Sequence, residues 1–306
     1  MAAFLSFNKI GKKINNINLL ADLSFGVQKG EVLFVLGKTN SGKSTLFKIL
    51  MGFVNKDKGQ IFVDGMDYDI RRKEIISLMG YMPQNHIFDN QLNIFENLLF
   101  YAQLKGLNRN ESEEKVLHWA NELSFKKELY MLPNLVSYSC LRKIAFARSL
   151  ISDPHFLLLD NPAFGMDYFD KDNIFKIIDK IKEKKTILFI TQNFNEAELH
   201  SDRVIILHNG TVCINSSLDK INNATTNTNK YRISFKRIVP HDFLEFVKSN
   251  KSIIRFKSMD RHIEFVTDKK HAFFKVLQSA LDYDLDDIKT NAFKLDEVFL
   301  KVTENE

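Results

Sequence analysis

Residues 31–44 read E-V-L-F-V-L-G-K-T-N-S-G-K-S, and the fold class follows from them. The run 31–36 is apolar throughout and stops at Gly37, as a strand buried on both faces does. Residues 37–44 (GKTNSGKS) then fit G-x-x-x-x-G-K-[ST], and 44–50 reads as a helix. Each fixed position has a physical reason. Glycines let backbone N–H groups curl around phosphates, with the positive end of the following helix aimed at them. Lys43 reaches the β- and γ-phosphates, and the Ser44 hydroxyl ligates Mg²⁺. The expected nucleotide-binding segment is Gly37, Lys38, Thr39, Asn40, Ser41, Gly42, Lys43 and Ser44, with Thr45 adjoining. The expected cofactors are ATP and Mg²⁺.

Outward from this loop, apolar strands alternate with amphipathic helices, which predicts an α/β fold with a largely parallel sheet. Residues 155–160 (HFLLLD) and 186–191 (TILFIT) are further buried strands. Asp160 closes the first of them, where a carboxylate can hold the water shell of Mg²⁺. The spacing predicts helices over 93–105, 111–123 and 170–184. Asn93 and Glu96 are placed as a capping box, and Gly106 as a stop. Residues 222–230 (NNATTNTNK) have no core-forming side chain and read as a linker. Beyond them, 231–238, 252–258 and 262–267 read as strands, with helices over 241–248 and 270–281. The expected division is 1–222, a linker over 223–230, and a small α/β domain over 231–306.

Composition narrows the classes. Of 306 residues, 44% are hydrophobic and 26% charged, so a wholly disordered chain is excluded. No stretch nears the roughly 18 consecutive apolar residues of a membrane span, and no signal peptide opens the chain. Cys140 and Cys213 are too few for a zinc site or disulfide framework, which fits a reducing compartment. The net charge of +5 carries no functional assignment, and no nucleic-acid partner is expected.

The order of landmarks around the loop resembles the nucleotide-binding domain of ABC transporters over residues 1–220. Tyr81-Met82-Pro83-Gln84 is similar to the Q-loop, whose Gln84 would ligate Mg²⁺ and sense a membrane subunit. Residues 136–140 (VSYSC), with Ser137, stand at the signature position. Asp160-Asn161-Pro162 stands at Walker B, Phe164-Gly165-Met166-Asp167 at the D-loop, and Thr191-Gln192 at the switch histidine. Residues 294–303 (KLDEVFLKVT) resemble the closing segment of exporter ATPases of the daunorubicin-resistance and A-subfamily type. The resemblance implies a P-loop NTPase with an antiparallel N-terminal β part and a helical subdomain over about 85–140. It also implies a second nucleotide-binding domain in a homo- or heterodimer, and a separate multi-span permease on whose cytoplasmic face the chain sits.

The departures fall on catalysis. Asn161 stands where the family has its general base, and an amide cannot accept the proton of water. Gln192 replaces the switch histidine; Tyr138 and Ser139 replace the two signature glycines. Ile10 stands where an aromatic stacks on adenine. The resemblance thus implies ATP binding with weak hydrolysis, coupled to transport, with a non-catalytic regulatory pseudo-ATPase as the alternative. Soluble two-cassette proteins of translation or repair are disfavoured: coiled coils and cysteine clusters are missing. A kinase or GTPase is disfavoured because no acceptor or guanine site lies between the loop and Asp160.

Overall fold

The computed structural model describes residues 3–85, 88–218, 220–221, 229–267, 269–291 and 295. The chain divides into two compact units, Met1–Asn215 and Ser216–Glu306.

The first unit is built on a six-stranded sheet. Its strands are β3 (Val32–Leu36), β6 (Met79–Met82), β7 (Phe156–Asp160), β8 (Thr186–Ile190), β9 (Arg203–His208) and β10 (Thr211–Ser217), in the order β10-β9-β3-β8-β7-β6. The pairings from β9 through β3, β8 and β7 to β6 are all parallel. Every residue of β3, β7 and β8 is buried, which is why these strands read as unbroken apolar runs. Phe34 and Phe189 stack at 4.2 Å between neighbouring strands.

A second, antiparallel sheet holds β1 (Leu5–Ile14), β2 (Ile17–Val27), β4 (Lys58–Val63) and β5 (Met66–Asp67), in the order β2-β1-β4-β5. Strand β1 is bulged on both sides of Ile10, between Phe7 and Ile10 and between Ile10 and Lys12. The bulges break the in–out alternation and turn Ile10 into the core, where it is fully buried. Ile10 therefore cannot present a face to adenine. The exposed apolar residues of this hairpin are Ile14 and Ile17, which pair across its end.

Helix α1 (Lys43–Leu50) follows the loop, and α2 (Tyr68–Ser77) follows β5. The helical part contains α3 (Ile94–Leu104), α4 (Arg109–Glu122) and the start of α5 (Tyr138–Leu150). The Asn93–Glu96 capping box forms as the sequence predicts. A second box, Asn108–Glu111, starts α4 two residues earlier than its acidic first turn suggested. Helix α6 (Tyr168–Ile181) also starts early, because Asp167 caps it by accepting from Asp170 N. Helix α7 (Phe194–His200) leads into β9.

The second unit runs β11 (Asn229–Phe235), α8 (His241–Ser249), β12 (Arg255–Met259), β13 (His262–Thr267), α9 (Lys270–Ala280) and β14 (Leu285–Asn291). The sheet order is β12-β13-β11-β14 with antiparallel pairings, the split βαβ arrangement of ferredoxin-like domains. Its core joins Tyr231, Ile233 and Phe235 of β11 with Phe243, Phe265 and Val276. Asn229 and Lys230, expected at the end of the linker, are the first residues of β11. The rest of that linker, 222–228, lies outside the described residues, as does the exporter-like segment 294–303 apart from Leu295.

Tyr68 fixes the far end of α1. Its hydroxyl lies 2.8 Å from Ile49 O and 2.9 Å from Leu50 O, and the ring is buried. Tyr68→Phe leaves two carbonyls without this donor and should lower stability by about 1–2 kcal/mol. Urea unfolding of the purified chain measures this; an unchanged midpoint would show that water replaces the hydroxyl.

Candidate functional site

Parallel strands end on one edge, and in this chain four of the sequence landmarks stand at that edge. Strand β3 ends at the P-loop, β6 at Pro83 and Gln84, β7 at Asp160 and Asn161, and β8 at Thr191 and Gln192. Open α/β sheets bind ligands at such carboxyl ends.

The P-loop is shaped by close backbone approach. Gly42 begins α1 at φ 101°, and a Cβ there would lie 2.5 Å from Leu19 O. Only glycine fits that position. Residues Lys38, Thr39 and Asn40 form the exposed tip, whereas Ser41, Gly42 and Lys43 are buried. Lys43 Nζ donates to Gly37 O at 2.8 Å, Lys38 O at 2.6 Å and Ser41 Oγ at 3.1 Å. Burial pushes this amine down from 10.5 to about 8, with Asp160 opposing. Ser44 and Thr45 stand in the first turn of α1, half-buried.

Asp160 is buried, and desolvation raises its pKa against the pull of a Ser44 hydrogen bond, Lys43 and Arg142. The structure thus brings the hydroxyl and carboxylate assigned to Mg²⁺ into direct contact. Two hard oxygen donors beside a lysine suit Mg²⁺ with bound phosphate, so the residues fit that ion. Asn161 turns its amide toward the same carboxylate, with Nδ2 donating to Asp160 Oδ1 at 3.2 Å. Its backbone sits at φ 48°, a region where asparagine is enriched among non-glycine residues.

The residue that sequence reading left without a role is Arg142. Its guanidinium is fully buried on α5. Nε donates to Pro162 O at 3.1 Å, Nη2 to Asn161 O, and Nη1 to Gln84 O and, at 3.4 Å, to Pro83 O. One side chain therefore ties the signature helix to the Q-loop backbone and to the segment after Asp160. The signal in the sequence was an arginine among small apolar residues in a helix, LRKIAFA.

The signature residues engage the D-loop of their own chain. Ser137 caps α5 by accepting from Cys140 N at 3.3 Å. Ser139 Oγ donates to Asp170 at 2.8 Å and lies 3.2 Å from Asp167, and Lys143 pairs with Asp170 at 2.7 Å. The Tyr138 ring covers Gly165, where a Cβ would lie 2.8 Å from Tyr138 Cε1. Burial pushes the Cys140 thiol up to about 12, so it is inert. Gln192 is exposed, and its loop is instead organised by buried Glu196, which accepts from Thr191 at 2.7 Å and pairs with Lys171 at 2.5 Å. Among the described residues, neither Gln192 nor Ser137 is hydrogen-bonded to the P-loop.

Residues 20–164, which include the P-loop, the signature and Asp160, match the family model described as ABC transporter. The chain carries an ABC transporter ATP-binding domain. The cassette is 31% identical over 231 residues to the spermidine/putrescine import ATP-binding protein of Protochlamydia amoebophila, covering 73% of this chain and 58% of that one. It is 28% identical over 315 residues to ABC transporter A family member 11 of Dictyostelium discoideum, covering 96% of this chain and 36% of that one. The chain thus spans less than two thirds of either relative. Among solved structures, a dimeric ATP-binding cassette in a post-hydrolysis state with ADP and phosphate aligns with a TM-score of 0.65 at 22% identity. It covers 70% of this chain and 98% of that one, and it supports the fold. Among the described residues no helix is long and apolar enough to cross a membrane.

The depressed Lys43 amine has a consequence for the cassette in solution. An incoming phosphate favours the ammonium and raises its pKa. At pH 8, ATP binding should therefore take up about half a proton, and at pH 6.5 almost none from this group. Calorimetric enthalpies in two buffers of different ionisation heat measure the uptake. Zero uptake at pH 8 would show that the amine is not depressed.

Proposed function

We propose that this chain is the ATP-binding subunit of an exporter-type ABC transporter, coupling ATP binding and weak hydrolysis to a separate membrane permease. The observation that carries the reading is the arrangement at Asp160. Lys43 and Ser44 stand ready for phosphate and Mg²⁺, while the adjoining side chain is an amide hydrogen-bonded to the carboxylate.

In this reading the P-loop N–H groups and Lys43 hold the phosphates. Mg²⁺, when bound, neutralises phosphate charge, with Ser44, Asp160 and Gln84 as the residues that would hold it. Asn161 can orient water but cannot take its proton, and a positioned base is typically worth about 10²–10⁴-fold. Gln192, at the switch position, brings no charge to the γ-phosphate. Ser137 and the rest of the signature would face the nucleotide of a second cassette, and there Tyr138 crowds the approach that glycine permits. Each chain in the dimer thus impairs its own site through Asn161 and its neighbour's site through Tyr138 and Ser139.

The permease is inferred from the helical part, where Phe100, Leu104, Tyr130 and Leu135 are large apolar residues left exposed. Docking there would place the chain on the inner face of the membrane. The exporter assignment rests on the resemblance of residues 294–303 to exporter ATPases, and the A-family relative is similar over both units of this chain. The ferredoxin-like unit is assigned a regulatory or dimer-stabilising role.

Two outcomes are expected. Lys43→Ala should weaken ATP binding by about 1.5–3 kcal/mol for each charge-assisted hydrogen bond to phosphate that the amine makes, measured by calorimetry; unchanged affinity would remove the P-loop from the site. Phosphate release by wild type, with its partner in membranes, should fall far below the enzyme median of about 10 s⁻¹. Asn161→Glu alone should restore little, because it sets a second carboxylate against Asp160 at a left-handed backbone position. Turnover near the median in wild type would refute the impaired-site reading.

A further inference from the structure

The first unit has a second cleft, at the opposite end of the parallel sheet from the P-loop, where β7 and β8 begin. It is open to solvent, with a volume of about 630 Å³, within the range of about 300–1,000 Å³ typical of small-ligand sites. Trp119 of α4, half-buried, flanks it, and Phe4 and Pro154 contribute apolar wall.

The charge on this cleft converges from separate segments. Lys29 comes from the turn between β2 and β3, and Lys180, Lys184 and Lys185 from the end of α6 and the turn after it. Two acids, Asp64 and Asp153, line it as well. Asp153 is taken by Lys185 at 2.6 Å, and Lys180 pairs with Glu122 at 3.2 Å. Lys29 and Lys184 have neither ion pair nor side-chain hydrogen bond among the described residues.

Lysines at the end of a helix ordinarily answer its dipole. That accounts poorly for this group. Two of the last carbonyls of α6 are already capped by backbone: Ile178 O accepts from Lys182 N, and Ile181 O from Lys184 N and Lys185 N. Lys29 belongs to a different segment, on a turn that lies against Lys182 O.

We propose that this cleft binds a small molecule joining a flat aromatic ring to a phosphate, the ring against Trp119 and the phosphate held by Lys29 and Lys184. Among the described residues, a planar apolar wall beside two unpaired lysines, set against the one unpaired acid Asp64, selects that combination. Such a ligand touches α4 of the helical part and the α6–β8 turn of the core at once. The Glu122–Lys180 pair already joins these two elements, so an occupant would bias their relation and act as an effector distinct from the nucleotide at the P-loop.

Trp119 is the one tryptophan in the chain, so its fluorescence reports on this cleft. The full chain is titrated with phenyl phosphate, inorganic phosphate and benzyl alcohol at low ionic strength. Phenyl phosphate should saturate a change in Trp119 emission, and the other two should bind at least about tenfold more weakly, a difference of about 1.4 kcal/mol. Lys29→Ala/Lys184→Ala, both at exposed positions, should weaken phenyl phosphate by at least about tenfold. Lys43→Ala should leave it unchanged. No saturable signal at millimolar concentration, or equal affinity in the double variant, would overturn the site. Loss of the signal in Lys43→Ala would reassign it to the P-loop. Inorganic phosphate binding as tightly as phenyl phosphate would overturn the role of the ring. Apart from the Lys43→Ala outcome, these results do not bear on whether the P-loop holds ATP.

Discussion

A guanidinium taken out of water must find its hydrogen bonds within the protein, and Arg142 finds four carbonyls on two separate segments. Those carbonyls belong to Pro83 and Gln84 at the end of β6 and to Asn161 and Pro162 after β7. The arginine itself rides on the helix that the signature begins. Moving any one of the three pieces alone would strand a buried cation, which is strongly unfavourable. The signature helix, the Q-loop and the end of the Asp160 strand are therefore held as one body. The rest of the site is arranged around it.

The same cation contributes to the electrostatic balance at Asp160. Burial alone favours the neutral acid there, while Ser44, Lys43 and Arg142 favour the carboxylate. Lys43 experiences the reciprocal tension, with burial lowering its pKa and Asp160 restoring it. A charged pair in so dry a place is stable only with its partners close. Asn161 fits beside it because an amide can donate to the carboxylate without adding charge.

The strand–loop–helix at 31–50 and the apolar strands at 156–160 and 186–190 were legible because parallel strands buried on both faces have no alternation to obscure. The Asn93 capping box was legible because its two hydrogen bonds are local. What escaped notice depends on interactions distant in sequence. The bulges that bury Ile10 belong to the pairing of β1 with β2 and β4, which no periodicity in β1 announces. Arg142 and Ser139 acquire partners about 20 to 60 residues away. Strand β14 escaped because Leu285-Asp286-Asp287-Ile288 carries two aspartates, a type depleted in strands, and is recruited by β11. At the site, residue identities were readable. The left-handed backbone of Asn161 and the folding of Ser139 and Lys143 onto Asp170 were not.

The packing of Tyr138 on Gly165 also constrains the order in which this sequence can change. The tyrosine ring occupies space that only the missing Cβ of Gly165 leaves open. While Tyr138 is present, every side chain at 165 meets the ring as well as a positive φ of 71°. Were position 138 to become small, steric exclusion would lift and only the backbone preference would remain, one that asparagine tolerates. The two positions are thus sterically coupled in one direction. A tyrosine at 138 narrows the choices at 165 to glycine or to a residue that both displaces the exposed ring and accepts the left-handed backbone.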